Sequence, residues 1–172
     1  MRSLSRVVRP VLRRQRGFTL VELVIVLMLV GIVAVVAIPR LANTSEFAAR
    51  GGRDFVGAAL RYAQKSAIAM RRNVCVTVVA TGLAITYAGT AGASQACAAG
   101  NTIANPANGL PYGDPSNVLP GGATLVAGPS LAFDALGRPL TAALAPLAAA
   151  QTITVNGYAT PVTIEPETGY VH

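Results

Sequence analysis

Apolar and polar positions divide the chain into three textures. From Phe18 to Ile38 it reads FTLVELVIVLMLVGIVAVVAI, with Thr19 and Glu22 as the only polar side chains. As an α-helix this run would rise about 31 Å, the thickness of a hydrocarbon core, so the pattern predicts a membrane-crossing helix. From Leu41 to about Arg72 the period becomes that of an amphipathic helix: Phe47, Gly51, Phe55, Ala58, Tyr62, Ser66 and Ala69 recur at three- and four-residue steps, while Arg50, Arg53, Arg61 and Arg71 fall to other sides. That stripe is expected to face a sheet. The Gly51-Gly52 pair weakens the helix by about 1 kcal/mol per glycine relative to alanine, and close packing against a neighbour is its expected use. Beyond Arg72 the texture is that of strands. Asn73–Val79 and Leu83–Tyr87 joined through Thr81-Gly82 predict an antiparallel hairpin. Further strands are expected at Thr124–Val126, Ser130–Phe133, Thr152–Val155, Pro161–Ile164 and Tyr170–His172, with turns at Asn156-Gly157 and Glu167-Thr168-Gly169.

The fold class that follows is α+β: a long N-terminal helix, transmembrane in its first half and amphipathic in its second, packed on a small antiparallel sheet. Two stretches, Ala88–Gly122 and Thr141–Ala150, lack the periodicity to build a core of their own and read as variable surface. No internal repeat is present. About 130 residues beyond the apolar run suffice for one domain.

Charge gives the apolar run a direction. Arg2, Arg6, Arg9, Arg13, Arg14 and Arg16 precede it with no acid among them. Positive flanks of a first membrane segment stay in the cytoplasm, so the chain after Pro39 is expected outside. An ordinary secretory signal has an apolar core of about 7 to 15 residues before a small-residue cleavage site. Here the run is longer and ends in Ile38-Pro39-Arg40, and the small residue beside a large apolar one is Gly17, at the cytoplasmic edge. Pro39 lacks the N–H that a helix would donate to Val35; it marks either a kink with local unwinding or simply the exit from the membrane.

Gly17-Phe18-Thr19-Leu20-Val21-Glu22 resembles the processing motif of type IV prepilins and type II secretion pseudopilins. The resemblance implies a leader, residues 1–17, that prepilin peptidase removes between Gly17 and Phe18, with N-methylation of Phe18. It further implies an assembly helix over 18–38 and a periplasmic domain over 39–172, held in the inner membrane with the N-terminus cytoplasmic. A carboxylate in an apolar bundle costs several kcal/mol unless paired. By resemblance the partner of Glu22 is the N-terminal amine of a neighbouring subunit, which would set axial register in a filament, and Pro39 lies where such subunits lose helix on assembly.

The outer region, through the 47–72 helix, Val74-Cys75-Val76, Phe133-Asp134-Ala135-Leu136-Gly137-Arg138-Pro139 and Ile164–Val171, is similar to the GspH/FimT branch of minor pseudopilins and pilins. The implied function is that of a minor pseudopilin of a type II secretion system, meeting other pseudopilins and exported proteins. The alternative is a FimT-like minor pilin of a type IV pilus, active in pilus assembly or DNA uptake. DNA-binding members carry basic residues around a final Gly-x-x-x element, whereas Gly169-Tyr170-Val171-His172 has none, although Tyr170 offers a face on which a base can stack.

Composition narrows the chemistry. The formal net charge is +7, but six of the 14 basic residues lie before Phe18, leaving eight bases against seven acids in the processed chain. Bulk charge therefore gives a polyanion little to hold. Cys75 and Cys97, an even pair facing an oxidising compartment, favour a disulfide that pins the long loop to a central strand; one buried thiol and one loop thiol is the other reading. Two cysteines and the single histidine, His172, do not make a four-ligand metal cluster. No cofactor motif is present, the acids are dispersed, and Glu165 and Glu167 flank Pro166 on an expected solvated turn, with Arg138 in another. The chain reads as the substrate of an enzyme and not as an enzyme.

Overall fold

The computed structural model describes residues 17–41, 44–92, 95–126 and 128–172, without the side chains of residues 36 and 38–41. The chain forms two compact units, residues 1–42 and 43–172. The described part of the first is the non-helical stretch 17–19 followed by helix α1, Leu20–Leu41. Its apolar side chains from Leu20 to Val33 and at Val35 stand exposed, because no other described element of that unit covers them.

The second unit is α+β. Helix α2 spans Thr44–Met70. Among the described residues its strands are β1 Val74–Val79, β2 Gly82–Ala88, β3 Cys97–Thr102, β4 Leu125–Val126, β5 Leu131–Phe133, β6 Pro139–Thr141, β7 Gln151–Val155 and β8 Val162–Ile164. They make up the expected small antiparallel β domain as two sheets, ordered β3-β2-β1-β5-β6 and β4-β7-β8. The β1–β2 hairpin runs in unbroken register from Val74↔Tyr87 to Val79↔Gly82. Where a strand was expected over Tyr170–His172, only Val171 pairs, through an isolated antiparallel bridge to Ile164 of β8.

Strands β3 and β6 were not expected, since CAAGNT and PLT carry neither alternation nor β-branched runs. Both lie at sheet edges, where a strand needs only one partner. β3 is irregular: Thr86↔Thr102 and Ala88↔Cys97 leave three extra residues on β3 opposite two steps of β2, a bulge that blunts an exposed edge.

Helix α2 closes the core on a different face from the one its aromatic spacing suggested. The buried positions are Ala49, Gly52, Val56, Gly57, Ala59, Leu60, Ala63 and Ala67, whereas Phe47 is 70% exposed and Ala58 and Ala69 are also outside. Small side chains let the helix backbone approach the strands closely. A Cβ on Gly52 would stand 3.0 Å from that of Ala123 and 3.3 Å from Val155 Cγ1, so the close packing expected of the Gly51-Gly52 pair is realised at Gly52. Phe55 and Tyr62 flank the buried face and pack against Tyr112, with ring centroids 6.1 and 6.4 Å away. Opposite lie Val74, Val76, Leu83, Ile85, Leu131, Phe133, Ile153, Val155, Val162 and Ile164, all essentially inaccessible.

The long stretch after β2 is ordered by its own polar groups. Asn117 Oδ1 accepts from Asn105 Nδ2 (3.0 Å) and Asn108 Nδ2 (3.3 Å), while Asn117 Nδ2 donates to the Pro111 carbonyl. Asn105 and Asn117 are buried, and such groups must be satisfied locally.

Candidate processing and assembly segment

Thr19 decides where α1 begins. Its Oγ1 accepts a hydrogen bond from the Glu22 N–H (3.2 Å) and its carbonyl accepts from the Leu23 N–H (3.1 Å). This is the N-cap arrangement of a Thr-x-x-Glu sequence. Gly17 and Phe18 consequently lie in non-helical backbone ahead of the first turn. Phe18 is 79% exposed, and the space where a Gly17 Cβ would stand is open. A peptidase needs such an accessible, unwound bond, and glycine lets it approach the backbone.

Glu22 falls in the first turn of α1, where the helix dipole favours an anion. Its side chain is exposed and forms no ion pair among the described residues. The expected leader lies, but for Gly17, outside the described residues. So does the Pro39 side chain; α1 continues past that position to Leu41. The expected span over Phe18–Ile38 includes side chains outside the described set, and among the described residues no helix is long and apolar enough to cross a membrane.

Cys75 on β1 and Cys97 at the start of β3 form a disulfide, with Sγ atoms 2.05 Å apart across a sequence separation of 22. The same loop is clasped by Arg72, which donates to the Gly89 carbonyl (2.6 Å), and by Asn73, which donates to that of Gln95 (3.1 Å).

The chain end is held by residues that spacing alone did not single out. Arg61 donates through Nε and Nη2 to the Val171 carbonyl, at 3.2 and 3.1 Å, and Gln64 Nε2 bridges the carbonyls of Gly137 and Thr168. Gly169 adopts φ 67°, and a Cβ there would stand 2.5 Å from the Gly137 carbonyl oxygen. Tyr170 is exposed and stacks on His172 at 5.4 Å; His172 in turn meets Glu165 Oε1 at 3.1 Å. Glu167 is exposed on the adjoining turn.

Arg138 serves the β5–β6 connection. Its Nε and Nη2 lie 2.8 Å from Asp134 Oδ2, while Asp134 Oδ1 accepts from the N–H groups of Leu136 and Arg138 at 2.9 Å. The buried Asp134 carboxylate is thereby satisfied. None of these groups converges on a cleft as a nucleophile–base pair would, and the described residues hold no metal-ligating cluster.

The family comparison points to the N-terminal end of the chain. Residues 12–38 match the family model described as the prokaryotic N-terminal methylation motif. The chain is also similar to the type IV narrow pilus major component PilA5 of Thermus thermophilus, at 34% identity over 61 residues, 36% of this chain and 53% of that protein. In this motif the chain is type IV pilin-like. The pilin-like chain thus spans about half the length of the curated relative that it matches. No solved structure matches it. The motif places Gly17, Phe18 and Glu22 of this pilin-like protein inside a segment of known kind, and the structure adds the Thr19 cap that leaves the Gly17–Phe18 bond outside the helix.

Proposed function

We propose that this protein is a structural subunit of a pilin-type filament. On this reading it is cut between Gly17 and Phe18 by prepilin peptidase, N-methylated at Phe18, held in the inner membrane by α1 with its outer domain in the periplasm, and drawn into the filament through the same helix. The observation that carries the reading is the uncovered apolar surface of α1 from Leu20 to Val35, interrupted only by Glu22 and Gly31. An apolar helix without a partner in its own unit needs lipid or other helices around it. Glu22 then contributes register, its carboxylate meeting the N-terminal amine of a neighbouring subunit.

Within that class we assign the chain to the minor pseudopilins of a type II secretion system, on the GspH/FimT-like plan of its outer domain. Its loops would meet other pseudopilins or exported proteins. The second reading is a FimT-like minor pilin of a type IV pilus, and the similarity to a pilus component is compatible with both. DNA uptake gains little from the chain end: Glu165 stands beside the Tyr170–His172 stack and opposes a polyanion. In-cell crosslinking of the natively expressed chain, followed by mass spectrometry of what is attached to the outer domain, separates these readings. Pseudopilins and cargo support the first and pilus subunits the second; absence of either family from the crosslinks overturns the filament role.

A further inference from the structure

Two clefts meet at Phe47 in the first turn of α2, one of about 370 Å³ lined by Glu46, Phe47, Arg50, Tyr158 and Ala159, the other of about 510 Å³ between Phe47 and the Pro120-Gly121 turn. Phe47 is the outer domain's most exposed phenylalanine, at 70%, and buries nothing proportionate to its area. Glu46 and Arg50 stand at the i,i+4 spacing that ordinarily gives a helical ion pair, yet neither forms one among the described residues. An exposed aromatic thus stands beside an anion and a cation that face one cleft without neutralising each other.

We infer that this rim of the outer domain docks on the bilayer surface through a zwitterionic phosphoethanolamine headgroup, with Arg50 on the phosphate, Glu46 on the ammonium and the Phe47 ring at the boundary with the acyl chains. The inference rests on the membrane reading of α1. Guanidinium groups suit phosphate oxygens, a carboxylate suits an ammonium, and aromatic rings favour the headgroup level. Chain length keeps the rim within reach, since five residues separate Leu41 from Phe47 and even a fully extended connection spans only about 20 Å. A purely anionic headgroup would match Arg50 but be repelled by Glu46, so the pair of charges selects the zwitterion. Docking would hold an unassembled subunit against the membrane and release it when a filament takes its helix.

The chain contains no tryptophan, so Phe47→Trp introduces a unique indole probe into the full chain, reconstituted at low density in vesicles. We expect the emission of this rim probe to be quenched by headgroup-region spin-labelled lipid, more in phosphatidylethanolamine-containing vesicles than in pure phosphatidylglycerol, and we expect Arg50→Glu or Glu46→Gln in the same background to remove that preference. A parallel Val30→Trp chain carries the probe in the anchor. Quenching of the anchor probe with the rim probe open to aqueous iodide overturns the docking and leaves the anchor standing; quenching of neither overturns both. A rim signal that follows protein density instead of lipid composition overturns the docking in favour of a second copy.

Discussion

Arg71 occupies a left-handed position (φ 52°) at the end of α2, where the N–H of Arg72 bonds the Ala67 carbonyl and that of Arg71 bonds the Ile68 carbonyl. This is a Schellman closure with arginine where glycine is preferred. Arg71→Gly should therefore stabilise the outer domain by about 1 kcal/mol, read as a higher denaturant midpoint at unchanged slope. Gly169 is the converse. Its positive φ and the nearness of the Gly137 carbonyl leave no room for a side chain, so Gly169→Ala should destabilise by about 2–4 kcal/mol and loosen the 169–172 segment first in hydrogen exchange. The final Gly-x-x-x element was visible in the sequence, but its reason was not: the glycine is dictated by Gln64 and Gly137, distant in sequence, and a turn signal reports only its own neighbours. Tyr112 was equally hidden. Burial, and secondarily Tyr62, raises its pKa above 10.0. A group whose folded pKa is raised contributes stability that is whole below the unfolded value and lost as pH climbs through the folded one. Thermal melts should thus hold level up to about pH 10 and fall beyond it, and Tyr112→Phe should flatten the fall.

At the scale of elements, periodicity succeeded where one element decides its own geometry and failed where two must agree. α1, α2 and the β1–β2 hairpin follow from runs of apolar, three-and-four-step and alternating residues. The buried face of α2 does not, because the sheet's close approach selects Ala49, Gly52, Ala59, Ala63 and Ala67 for size, while the larger Phe55 and Tyr62 are displaced to the flanks. Strands β3 and β6 were hidden because edge strands borrow their order from a partner. For β3 that support includes the Cys75–Cys97 bond. Closing a loop of this length removes unfolded-state entropy worth about 3 kcal/mol, so a Cys75→Ser/Cys97→Ser chain should lose about that much in denaturant titration, with amide protection lost over Cys97–Thr102 before β1 or β5. In the first unit, Thr19→Ala should cost the start of α1 about 1 kcal/mol and fray Leu20–Glu22 in exchange measurements.

For the whole molecule, the filament reading gives the N-terminal segment the handling of the protein and the outer domain the choice of partner. The first was legible because a membrane-length run, a Gly-Phe junction and one acid are local features that a single chain displays. The second was not, because partner choice resides in surfaces whose complement lies on other proteins; two sheets, an Asn-braced loop and a disulfide-pinned edge describe such a surface without naming its partner. The central claim is assembly through α1 with Glu22 setting register, and the most direct measurement is the fate of Glu22→Ala expressed at native level in cells. The account predicts cleavage after Gly17 and membrane retention as in the wild type, with loss of the protein from sheared or purified filaments; Glu22→Ala chains recovered in filaments at wild-type abundance would contradict it.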